Sequence, residues 1–181
     1  MRYAQIRQMD VSDGPYTRVG FYVQGCSHHC KGCYNPETWS YNGGKEWTEE
    51  TNKVLIKLMD KDYIKGLSIL GGDPICVYER DKENLFLSLI KDIKDKYPDK
   101  TIWLWTGYLF EEIYNLNTKM FNNTELQDVC LPLFQYIDVI VDGPYIEREK
   151  ERLKYAGSRN QRVIDVKNTI EKNKIVIYES L

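Results

Sequence analysis

The sequence has no apolar run long enough to cross a membrane and no hydrophobic leader at its first residues. Its 181 residues include 25 Lys and Arg against 27 Asp and Glu, for a net charge of −2, and the two signs are interleaved. A chain without a basic face has no general affinity for nucleic acid. We therefore expect neither a membrane nor a nucleic acid as a partner.

Cysteine is scarce, and its count of five is odd. An odd number of cysteines without a leader argues against a disulfide framework and favours a reducing cytoplasm. Cys76 and Cys130 stand in apolar surroundings, which is typical of buried free cysteines. The other three lie close together in the segment Cys-Ser-His-His-Cys-Lys-Gly-Cys, called the cysteine segment below.

Cys26, Cys30 and Cys33 have the spacing C-x₃-C-x₂-C directly after an apolar run. Clustered thiolates suit zinc, copper(I) or an iron–sulfur cluster. A structural zinc site takes four protein ligands, and a [4Fe–4S] cluster usually takes four cysteines. Three local ligands would leave one iron open to a small molecule. His28 or His29 could instead complete a Cys₃His zinc site, so a non-enzymatic zinc or iron–sulfur binding module is an alternative; otherwise both are loop residues near the metal.

Apolar runs alternate with helical spacings along the chain, which predicts one α/β domain over residues 1–181, with a mainly parallel sheet and outer helices. Thr48 is the expected cap of the first helix. Predicted strands lie at residues 3–7, 18–24, 67–70, 101–105, 137–141, 162–166 and 175–178. Predicted helices lie at residues 46–62, from 85 to before Tyr97, at 109–115 and at 125–131, the last two separated by a polar stretch at 117–123.

Four turns with chemical content follow predicted strands: the cysteine segment, Gly71–Pro74, Thr106-Gly107 and Asp142–Pro144. In parallel α/β folds the carboxyl ends of the strands lie on one side, where ligands bind. We therefore expect these four turns to converge on one site.

These residues resemble a known family. The cysteine spacing is that of radical S-adenosylmethionine enzymes, and Gly71-Gly72-Asp73 falls where their glycine-rich motif stands. A closer similarity, to the activating proteins of anaerobic (class III) ribonucleoside-triphosphate reductases, runs from about residue 10 to residue 166. The motifs that carry it are Asp13-Gly14-Pro15-x-Thr17-Arg18, Cys33-Tyr34-Asn35-Pro36-Glu37-Thr38-Trp39, Trp103-x-Trp105-Thr106-Gly107-Tyr108, Val141-Asp142-Gly143 and Gly157-Ser158-x-Asn160-Gln161-Arg162.

The resemblance implies an enzyme that binds a [4Fe–4S] cluster through Cys26, Cys30 and Cys33 and cleaves S-adenosylmethionine reductively. The 5′-deoxyadenosyl radical so formed would take a hydrogen atom from a glycine near the C-terminus of the large reductase subunit. No side chain is expected to be catalytic, because the radical arises on the cofactor. A flavodoxin or ferredoxin is the expected class of electron donor.

The resemblance also implies a partial (β/α) barrel of the radical S-adenosylmethionine type, open on one side, since a full barrel needs about 250 residues. A radical S-adenosylmethionine enzyme acting on a small molecule is the second alternative. It would not be expected to carry the Asp13–Arg18, Trp103–Tyr108 and Gly157–Arg162 motifs together.

The cofactor contacts follow from the same resemblance. Gly71 and Gly72 would let the backbone approach the methionine portion, while Asp73 would either accept a hydrogen bond from its ammonium group or cap the following helix. The residues expected beside the adenine are Gly32, Cys33 and Tyr34. The further candidates for the cleft are Thr106, Asp142 and Asn160. Many radical enzymes have an aromatic residue immediately before the third cysteine, where this chain has Gly32.

Overall fold

The computed structural model describes residues 1–116 and 124–179. Its strands are β1 (Arg2–Asp10), β2 (Thr17–Val23), β3 (Lys45–Glu46), β4 (Ile64–Gly71), β5 (Thr101–Trp105), β6 (Val139–Asp142) and β7 (Arg162–Asp165). Its α-helices are α1 (Glu49–Met59), α2 (Pro74–Glu79), α3 (Leu85–Lys96), α4 (Phe110–Ile113), α5 (Glu125–Cys130) and α6 (Val166–Lys172). No helix within these ranges is long and apolar enough to span a bilayer.

The strands form one sheet in the order β3-β1-β2-β4-β5-β6-β7. Strands β2, β4, β5 and β6 are parallel neighbours, while β1 pairs antiparallel with both β2 and β3, and β7 pairs antiparallel with β6. The predicted α/β class and the parallel centre of the sheet are confirmed. The described strands do not close into a barrel.

Most predicted elements are present within a few residues of their predicted bounds, and Thr48 caps α1 by accepting a hydrogen bond from the Thr51 N–H at 3.2 Å. Helix α2 was not predicted, because it is short and its side chains are nearly all buried, so no helical periodicity appears. Helix α6 was not predicted either; it starts at Val166, where the sequence predicts the end of a strand. The polar stretch 117–123 lies outside the described residues.

The strand predicted at residues 175–178 is wrong. This segment makes only an isolated bridge between Ile177 and Ile164, together with backbone hydrogen bonds to β7. The chain there runs beside β7 without forming a ladder of its own. Its apolar run Ile175–Tyr178 lies along the edge of the sheet.

The four parallel strands are largely buried on both faces, as expected for parallel strands, whereas β1 and β3 are more exposed. In β5, Ile102 and Leu104 belong to the main hydrophobic core, while Trp103 faces the opposite side with Val139 and Val141. On that second face the Arg18 side chain is fully buried. Its guanidinium donates to the Ser68 hydroxyl at 2.7 Å and to backbone carbonyls of β4 and β5, so this charge ties the parallel strands together.

Candidate functional site

The turns after β2, β4, β5 and β6 surround one cavity of about 480 Å³. This volume is in the usual range for small-molecule sites. Its wall includes the three clustered cysteines, Gly71, Gly72, Asp73, Thr106, Gly107 and Gly143. The convergence expected from the sequence is therefore what the fold produces, because parallel strands deliver their carboxyl ends to the same edge.

The clustered cysteines are free thiols on the cavity wall. Cys26 is buried and its N–H donates to the Trp39 carbonyl at 3.0 Å, while Cys30 and Cys33 are partly exposed. The Asn35 N–H lies 3.4 Å from the Cys33 sulfur, a backbone contact that suits a thiolate ligand. Soft sulfur donors beside an open cavity fit an iron–sulfur cluster that keeps one position for a small molecule.

Cys76 is buried behind this wall, as predicted for a free cysteine. Its thiol lies within hydrogen-bonding reach of Cys26, which lowers the pKa of Cys76. The Tyr108 hydroxyl is 3.9 Å from the Cys76 sulfur. Cys130 is fully buried in the main core.

Gly71 and Gly72 are required by the protein itself. Gly71 has φ +106°, and a Cβ on Gly72 would lie 2.3 Å from the Gly25 carbonyl oxygen. The Gly72 N–H donates to the Val23 carbonyl, and the Asp73 N–H to the Gly25 carbonyl, at 2.9 and 2.8 Å. The turn after β4 is thus bonded to the end of β2 and to Gly25, just before the cysteine segment, and any side chain at these glycines would push the two apart.

Asp73 caps helix α2, which is one of the two roles expected for it. Its side chain is fully buried, and Oδ1 accepts hydrogen bonds from the N–H groups of Ile75 and Cys76 at 2.9 and 3.0 Å. Capping of this kind satisfies helix N–H groups that have no partner within the helix.

The second oxygen of Asp73 joins two other turns. Oδ2 accepts from the Gly107 N–H at 2.7 Å and the Thr106 hydroxyl at 2.9 Å, and His28 Nε2 lies 3.1 Å away. Burial alone would raise the pKa of Asp73, but His28 and the N–H donors outweigh burial and lower it. With its oxygens occupied by these donors, the carboxylate is a structural junction.

His28 is held against the turn after β5. A Cβ on Gly107 would lie 2.6 Å from the His28 ring, and the Tyr108 ring meets the imidazole edge-on at 4.7 Å. The contact with Asp73 raises the pKa of His28 to about 10. His29, by contrast, only stacks on Trp39, with ring centroids 4.8 Å apart.

Gly32 and Tyr34 contact the segment that follows β6. Gly32 has φ +76°, and a Cβ there would lie 2.9 Å from the Glu147 carboxylate. The Tyr34 ring lies 5.2 Å from the Tyr145 ring. The positive φ favours glycine at this position, and the half-exposed Glu147 side chain lies over the space where a Cβ would stand.

Two of the candidate cleft residues lie behind the cavity wall. Asp142 is fully buried and accepts hydrogen bonds from the Phe110 N–H at 2.8 Å and from Arg162 Nε at 3.1 Å. Asn160 donates to the Pro144 carbonyl at 2.7 Å. Gly143, next to Asp142, lines the cavity wall, whereas Asp142 and Asn160 are not among the described residues that line it. Thr106 does lie on the wall, with its hydroxyl directed to Asp73.

Known proteins resemble the chain over most of its length. A family model for a 4Fe-4S single cluster domain matches residues 12–164. An anaerobic ribonucleoside-triphosphate reductase-activating protein of Vibrio cholerae is 40% identical over 164 residues, which cover 89% of this chain and 96% of the relative. The protein of the same name from phage T4 is 38% identical over 163 residues, covering 90% and 93%. The one from Escherichia coli K12 is 36% identical over 164 residues, covering 89% and 96%.

The chain belongs to the family of anaerobic ribonucleoside-triphosphate reductase-activating proteins. This confirms the closer of the two resemblances seen in the sequence. The match to a 4Fe-4S single cluster domain supports an iron–sulfur cluster as the metal group.

Two contacts of this activating-protein site were not predicted. The sequence places His28 in a loop near the metal but does not pair it with Asp73. The contact between Gly32 and Glu147, whose side chain is half-exposed, was not predicted either. Both contacts join segments that are distant in the chain, so no local pattern indicates them.

Proposed function

We propose that this protein is a radical S-adenosylmethionine enzyme that generates a glycyl radical on an anaerobic ribonucleoside-triphosphate reductase. The observation that carries the proposal is the position of Cys26, Cys30 and Cys33. They open onto a ligand-sized cavity whose wall has no fourth cysteine among the described residues. Family membership supports the same target, because the relatives are named as activating proteins of this reductase.

In this proposal the three clustered cysteines hold a [4Fe–4S] cluster, and the remaining cavity takes S-adenosylmethionine. A reduced cluster held by these cysteines would supply the electron for reductive cleavage of the cofactor to methionine and a 5′-deoxyadenosyl radical. The protein binds and orients the cofactor and excludes side reactions. Gly71 and Gly72 present backbone to the methionine portion, and Gly32, Cys33 and Tyr34 lie on the adenine side.

The hydrogen donor proposed is a glycine in the C-terminal region of the large reductase subunit. A glycine Cα carries no side chain to shield it, so it can be reached by a radical confined in a cavity. The described sheet does not close between β3 and β7, which leaves a side for a glycine-bearing segment. A flavodoxin or ferredoxin would supply the electron in the cytoplasm.

The first experiment is an anaerobic assay of protein reconstituted with iron and sulfide, with S-adenosylmethionine and a strong reductant. We expect the wild type to form 5′-deoxyadenosine and Cys30→Ala to form none. Cys130→Ala is the matched control, because Cys130 is buried away from the cavity and should leave the product unchanged. No product from wild-type protein with a full, reduced cluster would overturn the proposal.

A second arm separates the alternatives. Addition of the reductase should give a glycyl-radical signal by electron paramagnetic resonance (EPR) that is absent when its target glycine is replaced by alanine. Product formation without a radical on the reductase would favour a small-molecule substrate. A colourless protein with one zinc per chain would favour the zinc-binding module.

A further inference from the structure

We propose that His28 is a positioning residue, which fixes the middle of the cysteine segment to the ends of β4 and β5. The inference deepens the proposed function and rests on it for the identity of the cofactor. The geometry that supports it belongs to the chain alone.

His28 stands midway between two of the clustered cysteines, two residues from Cys26 and two from Cys30. Its ring fills the space over Gly107 that a Cβ would take, and its Nε2 lies 3.1 Å from Asp73 Oδ2. The imidazole is four-fifths buried, with 20% of its side-chain surface exposed. A loop histidine with no structural role would face solvent.

The anchor on which His28 rests is rigid. Asp73 is held by the first N–H groups of α2 and by the N–H of Gly107, so its carboxylate cannot move without breaking bonds in two elements. His28 Nε2 approaches this fixed carboxylate to 3.1 Å, although the two groups are not aligned as a hydrogen bond, and the imidazole ring packs on Gly107 beside it.

His28 gives the cysteine segment a second attachment to the glycine turn. The first attachment is the backbone pairing of Val23 and Gly25 with residues 72–73, and it lies before Cys26. His28 holds the stretch after Cys26. Together the two attachments set how far the cysteines lie from Gly71 and Gly72, and hence how far a cluster would lie from the methionine portion.

Three variants test this role. His28→Phe keeps the ring that packs on Gly107 but removes the nitrogen beside Asp73. His28→Gln places an amide donor near the position of Nε2. His29→Asn is the matched control, since His29 contacts Trp39 and not the junction, and Asn tolerates the positive φ of 48° at that position.

On reconstituted protein we expect His28→Phe to bind as much iron per chain as the wild type. Its KM for S-adenosylmethionine should rise about tenfold or more, the usual scale for loss of a partner that orients a metal ligand, with a smaller effect on kcat. The EPR spectrum of its reduced cluster should change less when the cofactor is added. His28→Gln should recover most of the affinity, and His29→Asn should match the wild type.

A measurement on cluster-free protein tests the positioning role of His28 independently of the proposed function. Amide hydrogen exchange of residues 27–33 should be faster in His28→Phe than in the wild type, and unchanged in His29→Asn. Unchanged exchange together with an unchanged KM would overturn the inference. Loss of iron from a folded His28→Phe would also overturn it, because His28 would then hold the cluster. Failure of the wild type to cleave the cofactor would overturn the proposed function only, and exchange would still decide the role of His28.

Discussion

Two buried carboxylates close the turns after parallel strands, Asp73 after β4 and Asp142 at the end of β6. Both are almost fully buried, and both lie beside one basic side chain. Both also accept a hydrogen bond from a helix N–H: Asp73 from α2, which follows it in the chain, and Asp142 from Phe110 of α4, which precedes it. They differ in where the cation comes from. Asp73 faces His28 of the cysteine segment, whereas Asp142 faces Arg162 of β7.

This difference indicates that the two buried carboxylates have different roles. The Asp73 junction lies on the cavity wall and connects to the cysteines. The Asp142 junction lies behind the wall, where Arg162 also binds Glu111 through two hydrogen bonds of 3.1 and 2.7 Å. We infer that a substitution of Asp73 lowers the activity as well as the stability, while a substitution of Asp142 lowers mainly the stability.

The largest effect is expected from Asp73→Asn. An amide nitrogen there would face the donors of Thr106 and Gly107, and His28 would lose its counter-charge. Breaking a buried ion pair on one side costs about 3–5 kcal/mol, so the free energy of unfolding should fall by that amount. Formation of 5′-deoxyadenosine per folded chain should also fall, by about tenfold or more. Urea unfolding measures the loss of stability, and the anaerobic assay measures product formation. Normal activity per folded chain would show that the contacts of Asp73 do not serve the site.

Asp142→Asn should destabilise the protein by a similar or smaller amount, about 3 kcal/mol, because Arg162 keeps Glu111 as a partner. Product formation per folded chain should stay close to that of the wild type. The measurement pairs urea unfolding with the assay at a temperature where both proteins are folded. If activity per folded chain fell in this variant, Asp142 would belong to the cofactor cleft, and the proposed difference between the two carboxylates would be wrong.

Arg162→Lys tests the geometry of the second junction. A lysine keeps the charge but cannot make paired hydrogen bonds to two carboxylates at once. We expect a loss of about 1–3 kcal/mol in the free energy of unfolding and no change in the KM for S-adenosylmethionine. Equal stability of the variant and the wild type would mean that charge alone holds this junction.

The smallest effect concerns the acid side of the stability profile. Burial by itself raises the pKa of Glu111, but Arg162 outweighs burial and lowers it below its ordinary value of 4.5. A carboxylate with a lowered pKa adds stability above about pH 4.5, and that contribution is lost as the pH falls through the folded-state pKa. Glu111→Gln should therefore be less stable near neutral pH and lose less on acidification. The prediction would be contradicted if the free energies of unfolding of the wild type and Glu111→Gln changed with pH in the same way.

Local patterns were sufficient for much of the fold. Strand β5 was predicted with its observed bounds because Thr101–Trp105 is a short apolar run, and Thr48 was predicted as a cap because caps are a local signal. Helix α2 was missed because its six residues are mostly buried and show no polar face. The C-terminal segment was misassigned because a short apolar run does not reveal whether the segment forms a ladder with a neighbouring strand.

The sequence by itself indicated a sulfur-ligated metal site and the family, because three cysteines at fixed spacing and a series of motifs are properties of neighbouring residues. It also placed four turns at one edge of the sheet, since parallel strands leave no other arrangement. Only the tertiary structure decided what the polar residues of those turns contact. His28 meets Asp73, and Glu147 fills the space over Gly32, through packing between segments distant in the chain. Such contacts depend on the distances between loops, and the folded sheet sets those distances.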